Sequence, residues 1–260
     1  MRYPHVDKVY SVIENGATEP LDALLGKDRA IVKTFNNIQG NLTLINEYIC
    51  YRLCVQLSIP IPVAGIAYID EQTIDESPQK IITPEKFGPC FYSKRINKAA
   101  ILISSIIDYI INKEDINKIV LFDHLVYNKD RNKGNILIET GKTISMYAID
   151  HSHVFKNECI WDRWCFERGM RNRDYNDTDI IDSNRDVYDL FWQNKSRDRE
   201  ILLNLTDVFK KRISYNLLDE IISELPIEWE ISKENLTALK DYIMYRLEHL
   251  NDIVDIIIRR

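Results

Sequence analysis

The hydrophobic periodicity of this chain changes character once, near residue 97, and that change limits the fold more than any other feature. Ahead of it the pattern favours strands. Residues 6–13 alternate and are rich in Val and Tyr, and residues 30–35 (AIVKTF) form a compact β-type run behind the turn residues Gly26, Lys27 and Asp28. One helix interrupts this region: after Asn41, Leu44, Ile45, Tyr48, Ile49, Leu53 and Leu57 recur at steps of three and four. Ile59-Pro60-Ile61-Pro62 ends it and leads into a strand over residues 63–69, and the polar stretch 70–79 (DEQTIDESPQ) reads as a flexible excursion. Beyond residue 97 the pattern predicts helices over 99–112 and 115–127. Short strands over 136–139 and 144–149 then flank a turn at Gly141-Lys142. From Trp161 onward it is helical, closing with a helix over 234–258 that carries Leu236, Leu239, Tyr242, Ile243, Leu247 and Leu250 on one face. A strand-rich front (1–97) and a helix-rich back (98–260) predict an α+β protein of two lobes with a cleft between them.

Composition excludes several classes. With 34 Lys+Arg against 40 Asp+Glu the chain carries a net charge of −6, and no concentrated basic face is evident. Nucleic acid is therefore not expected as a direct ligand. The longest apolar runs, 99–107 and 253–258, are interrupted well short of a membrane span, so no membrane association is expected. Residues 1–15 hold Arg2, His5, Asp7 and Lys8 and no apolar leader core, and the five Cys show no zinc-type spacing. A cytoplasmic protein with reduced thiols is the expectation.

The informative stretch is YNKDRNKGNILI, residues 127–138. Asp130 and Asn135 lie five positions apart in a polar loop between a helix and a strand, and Asp150 follows twenty positions later, ending the apolar run 146–149. Phosphoryl transfer from a nucleotide needs such a set: one carboxylate to orient the attacking hydroxyl, and an amide oxygen with a second carboxylate to hold metal ions against the phosphates. A polar hairpin loop would contain the same turn-forming residues. Asp150 sharpens the functional reading, because a carboxylate at the mouth of a buried strand is costly unless paired or metal-bound. Two upstream residues join the set. Lys33 interrupts the strand AIVKTF and could reach phosphates, and Glu47 on the following helix could hold it by an ion pair; a solvated strand lysine and an exposed helix glutamate are the plain alternatives.

The order Lys33, Glu47, Asp130, Asn135, Asp150 and the local sequence resemble the protein-kinase-like fold, and most closely the bacterial HipA-like kinases. The resemblance rests on the strand lysine in AIVKTF and on NEYICYRLCVQLSIPIP, a helix that begins with Asn-Glu and leads to a Pro-containing strand. CFYSKRI, NKDRNKGN and AIDHSHVF complete it, so that roughly residues 12–155 are covered. It implies an ATP- and magnesium-dependent kinase acting on a hydroxyl, most closely a Ser or Thr of a protein substrate, with Asp130 as catalytic base and Asn135 and Asp150 as magnesium ligands. Lys33, supported by Glu47, would bind phosphate. Gly16-Ala17-Thr18 would be the loop over the phosphates, although no G-x-G-x-x-G is present and a simple hairpin turn reads equally well. Nucleotide would lie between Gly16–Thr18, Lys33 and the loop after Pro84. Several relatives carry His where this chain has Asn132, and His151 stands where eukaryotic protein kinases have Phe.

Two other readings share the motif: a small-molecule or lipid phosphotransferase, and a nucleotide-binding pseudokinase serving as an interaction module in a toxin–antitoxin or defence system. Any regulatory partner is expected to be a separate chain. Cys50 and Cys54 read as buried thiols, and His124, His151 and His153 as hydrogen-bonding or packing residues. Residues 161–175 mix Trp161, Trp164 and Phe166 with Arg163, Arg168, Arg171 and Arg173. They read as a salt-bridged helix and loop, or as a substrate-contact surface.

Overall fold

The computed structural model describes residues 3–14, 16–192 and 197–260. A six-stranded sheet dominates the front. It contains β1 (Lys8–Val12), β2 (Leu21–Leu25), β3 (Asp28–Lys33), β4 (Ala64–Ile69), β5 (Ile74–Asp75) and β6 (Gly88–Lys94), in the order β4-β6-β3-β2-β1-β5. All neighbours are antiparallel except β1 and β5. Helix α1 (Leu42–Leu57) crosses between β3 and β4. It stops where Ser58 turns left-handed, immediately before the Ile-Pro repeat that cannot continue a helix.

The back begins with β7 (Ala99–Ile101), α2 (Ile116–Leu125), β8 (Ile136–Thr140) and β9 (Ile144–Ala148), the three strands forming a small sheet in the order β7-β8-β9. Six helices follow: α3 (Arg163–Arg171), α4 (Asp179–Ser183), α5 (Arg185–Trp192), α6 (Arg199–Arg212), α7 (Tyr215–Ser223) and α8 (Lys233–Glu248), with α9 (Leu250–Arg259) closing the chain. Asp162, Asp198, Ser214 and Ser232 cap α3, α6, α7 and α8 through their side chains, satisfying backbone donors that a helix start leaves open. No helix among the described residues is long and apolar enough to cross a membrane.

Four local expectations are corrected. Strand β2 was not anticipated: LDALL lacks β-branched residues, and its pairing with neighbours on both sides decides its conformation. The helix expected over 99–112 is instead β7, paired with β8, followed by a 3-10 segment over Ser104–Tyr109; the run is dense in Ile, which suits a strand. Residues 70–79 are ordered. Asp75 accepts from the Ser77 and Ile82 amides, Thr73 donates to the Val6 carbonyl, and β5 lies parallel to β1. Finally, the last helix breaks at His249, whose ring stacks on Tyr175 at 3.9 Å and whose Nδ1 meets Asp252.

A continuous apolar core joins α1, β4 and Phe91 of the front to the helices of the back, and a smaller cluster fills the far face of the large sheet. Polar contacts reinforce the first: Tyr48 and Arg52 of α1 both engage Glu224 after α7, and the Trp229 indole donates to the Pro89 carbonyl at 2.8 Å. Helix α1 is thereby held from behind by the back half of the chain.

Candidate active site

The register of the large sheet determines what faces the back. Ile31 pairs with Ser93, Lys33 with Phe91, and Ala64 with Ser93, so one alternating set from β3, β6 and β4 forms a roof. Below it, Leu137 of β8, Ala148 of β9 and the loop 130–135 form a floor. Together with Lys94, Arg95 and Ile96 they enclose a cavity of about 490 Å3. Most of this lining is apolar, with the polar groups gathered at one end, as suits a small-molecule site. The wall expected after Pro84 lies elsewhere: Pro84–Lys86 is a single 3-10 turn ahead of β6, and residues 91–96 supply the wall.

At the polar end stands Lys33, buried at the end of β3. Its ammonium is paired with Glu47 of α1 and lies 2.7 Å from Asp150 Oδ1 and 3.3 Å from Ser152 Oγ. Burial opposes the charge on Lys33, but the two carboxylates outweigh it and hold the pKa above the ordinary lysine value. Burial likewise acts against ionised Asp150, and Lys33 and Ser152 overcome it, holding the carboxyl well below the usual range. Glu47, the more deeply buried carboxylate, is pushed up by burial while Lys33 pulls against that rise. One cation between two carboxylates accounts for this division: Lys33 favours the ionised Asp150, and the neighbouring Asp150 charge adds to burial in pushing Glu47 up.

Asp150 adopts a left-handed backbone (φ 56°), an uncommon state that the surrounding structure has to enforce. Every hydrogen bond formed with its carboxylate by described residues reaches Oδ1, from Lys33 Nζ, Ser152 Oγ and Ser152 N. Among the described residues Oδ2 accepts no hydrogen bond, and Asp150 lines the cavity. In the loop, Asn135 Nδ2 donates to the Asp130 carbonyl at 2.6 Å and to Asp130 Oδ2 at 3.2 Å, which directs its amide oxygen away from Asp130. Asn132 lies two residues after Asp130. Its Oδ1 accepts from Gly134 N and its Nδ2 donates to Asp130 Oδ1 at 3.0 Å, so it shapes the turn and holds the carboxylate. Asp130 remains exposed.

The chain thus gathers Lys33, Glu47, Asp130, Asn135 and Asp150 around one cavity. Gly16 and Ala17 also line it, on the β1–β2 hairpin, while Thr18 is buried outside the lining. A Cβ on Gly16 would overlap the Pro20 ring, which fixes glycine there. The donor chemistry suits magnesium, which takes hard oxygen ligands: the Asp150 carboxylate and the Asn135 amide oxygen would hold it.

Several residues carry more structure than their positions suggest. Asn46, beside Glu47, donates to the Ser152 and Glu158 carbonyls and accepts from the Trp161 indole, tying α1 to the segment after Asp150. Trp161 and Phe166 are core residues, which leaves Trp164, under the Arg163 guanidinium, as the exposed aromatic of that segment. Cys50 and Cys54 are buried, and burial pushes both thiols well up. His151 and His153 line the cavity and His124 is buried in α2.

The sequence model of the HipA-like kinases matches residues 6–254. Among solved structures the chain is similar to the proinflammatory kinase CtkA of Helicobacter pylori, at 12% identity with 96% of each chain covered and a TM-score of 0.61. It is also similar to HipA from a toxin–antitoxin complex with HipB and operator DNA of Shewanella oneidensis MR-1, at 13% identity, covering 97% of this chain and 65% of that one with a TM-score of 0.47. No curated protein sequence matches the chain. The likeness to CtkA is one of fold, and the two-lobed α+β architecture is that of protein kinases. By the family model that spans nearly its whole length, the chain belongs to the HipA-like kinases.

Proposed function

We propose that this protein is an ATP- and magnesium-dependent kinase that transfers the γ-phosphate to a hydroxyl, a Ser or Thr of a protein substrate, in the cytoplasm. The observation that carries this reading is the convergence of Lys33, Asp130, Asn135 and Asp150 on one cavity. The base and ribose take the apolar part, between Ile31 and Leu137, and the hairpin residues Gly16 and Ala17 cover the phosphates. Lys33, held by Glu47, donates to phosphate oxygens. Asn135 and the Asp150 carboxylate would hold magnesium, which would supply charge neutralisation on the phosphates when bound. Asp130, steadied by Asn132 and Asn135, orients the acceptor hydroxyl and receives its proton. The residues act by positioning and by fixed charge.

The test is magnesium-dependent ATP binding, read by thermal shift, together with radiolabelled-phosphate transfer to a panel of proteins and small molecules. Asp130→Ala should bind nucleotide normally and lose transfer by about 10²- to 10⁴-fold. Asp150→Asn should lose magnesium-dependent binding and transfer alike. Full transfer activity in either variant would sink the proposal. Transfer to small molecules alone would replace the protein substrate, and binding without any transfer would leave an interaction module.

A further inference from the structure

Directly beneath the loop lies a fully buried ion pair, Arg131 with Asp123 of α2. All five N–H donors of the Arg131 guanidinium are engaged. Nε and Nη2 form a two-pronged contact with the Asp123 carboxylate at 3.0 and 2.8 Å. Nη1 donates to the Asn135 carbonyl and to the Ile149 carbonyl, both at 2.9 Å, and Nη2 lies 3.0 Å from His151 Nε2. The donation to Nε2 requires a neutral ring with its proton on Nδ1. From the other side, Asn184 Oδ1 accepts from the Arg131 amide.

Arg131 therefore follows Asp130 in the chain and at the same time grips the backbone of Asn135 and of Ile149, the residue before Asp150, and the ring of His151, the residue after it. Asp123 anchors the whole to α2. Only a planar guanidinium can bond in this many directions at once; a lysine ammonium in the same place would serve Asp123 and little else. Nor does the pair explain itself as a source of stability, because buried ion pairs are often replaced by apolar residues of similar volume at no cost. We propose that Arg131 is a positioning residue, setting the separation of Asn135 and Asp150 and so the affinity of the cleft for the metal–nucleotide complex. This rests on reading the cleft as a magnesium–ATP site.

Two variants test it, Arg131→Lys and the paired Arg131→Met with Asp123→Leu. The second removes both buried charges, so that neither is left unpaired. The probe is a fluorescent ATP analogue, titrated with magnesium and with EDTA, after a thermal melt has shown which variant folds. Wild type should bind more tightly with magnesium. In the variants the metal-free affinity should stay as in wild type while the tightening by magnesium falls by about 10- to 100-fold. A merely structural role would lower the melting temperature and leave that ratio alone. A folded variant that keeps the wild-type ratio would overturn the role of Arg131 and leave the site reading intact. A wild type whose affinity ignores magnesium would overturn the site reading, and the inference with it.

Discussion

Lys33 neutralises two carboxylates that would otherwise face each other uncompensated, Glu47 buried and Asp150 partly open to the cavity. Removing one partner of a buried pair leaves an uncompensated charge, so Lys33→Met should lower unfolding free energy by about 3 kcal/mol. Adding Glu47→Gln should restore part of it, measured by urea denaturation as a double-mutant cycle. A second buried group gives a pH dependence. Burial, reinforced by the Arg246 guanidinium, pushes His124 down to about 3. The unfolded chain takes up this proton near 6.5 and the folded chain does not, so the contribution is complete above 6.5 and is lost as pH falls toward 3. Urea denaturation should show wild type losing about 2 kcal/mol more than His124→Leu between pH 7 and 5. Of the residues that meet at the cleft, Lys33, Asn135 and Asp150 were legible because each interrupts or borders an apolar run where a polar side chain demands a reason, and Asp130 because it stands five positions before Asn135 in a polar loop. Arg131 was not, since its partners come from α2, two strand ends and the α4–α5 junction. A trace existed: Asp123 lies inside the apolar run IVLFDHLV, where a lone carboxylate signals a buried partner.

Helix α1 carries Glu47 on one side and, through Tyr48 and Arg52, the clamp to Glu224 on the other. Its inward face positions the lysine; its outward face is locked to the back half of the chain. Glu224→Ala removes the Tyr48 and Arg52 contacts of that lock, each lost bond costing about 1 kcal/mol. Amide exchange over Leu42–Leu57 should accelerate, and any phosphate transfer should fall by about tenfold as Glu47 leaves Lys33. Protection unchanged from wild type would show that apolar packing alone holds the helix. Strongly periodic elements such as α1, α2 and β4 were readable from the sequence, because their apolar spacing and terminators agree. β2 and β7 were not: short strands of Leu, Ala and Ile take their conformation from neighbours distant in sequence.

For the molecule as a whole, the main core does not respect the boundary between sheet and helices. Leu44, Ile49 and Leu53 of α1 belong to the same apolar cluster as Leu239 and Ile253 near the end of the chain. Residues 1–97 alone would expose that face of α1, so they should show no cooperative melt, whereas the full chain should unfold in one transition by near- and far-ultraviolet circular dichroism. The same continuity bears on chemical intervention. An inhibitor that extends past Lys33 has to swing α1 aside, and doing so breaks the Glu224 contacts of Tyr48 and Arg52 and the Asn46 links together. Compounds that exploit a retractable back wall will therefore find it shut here, and selective ones will have to draw their selectivity from the open rim at Arg95 and Ile96.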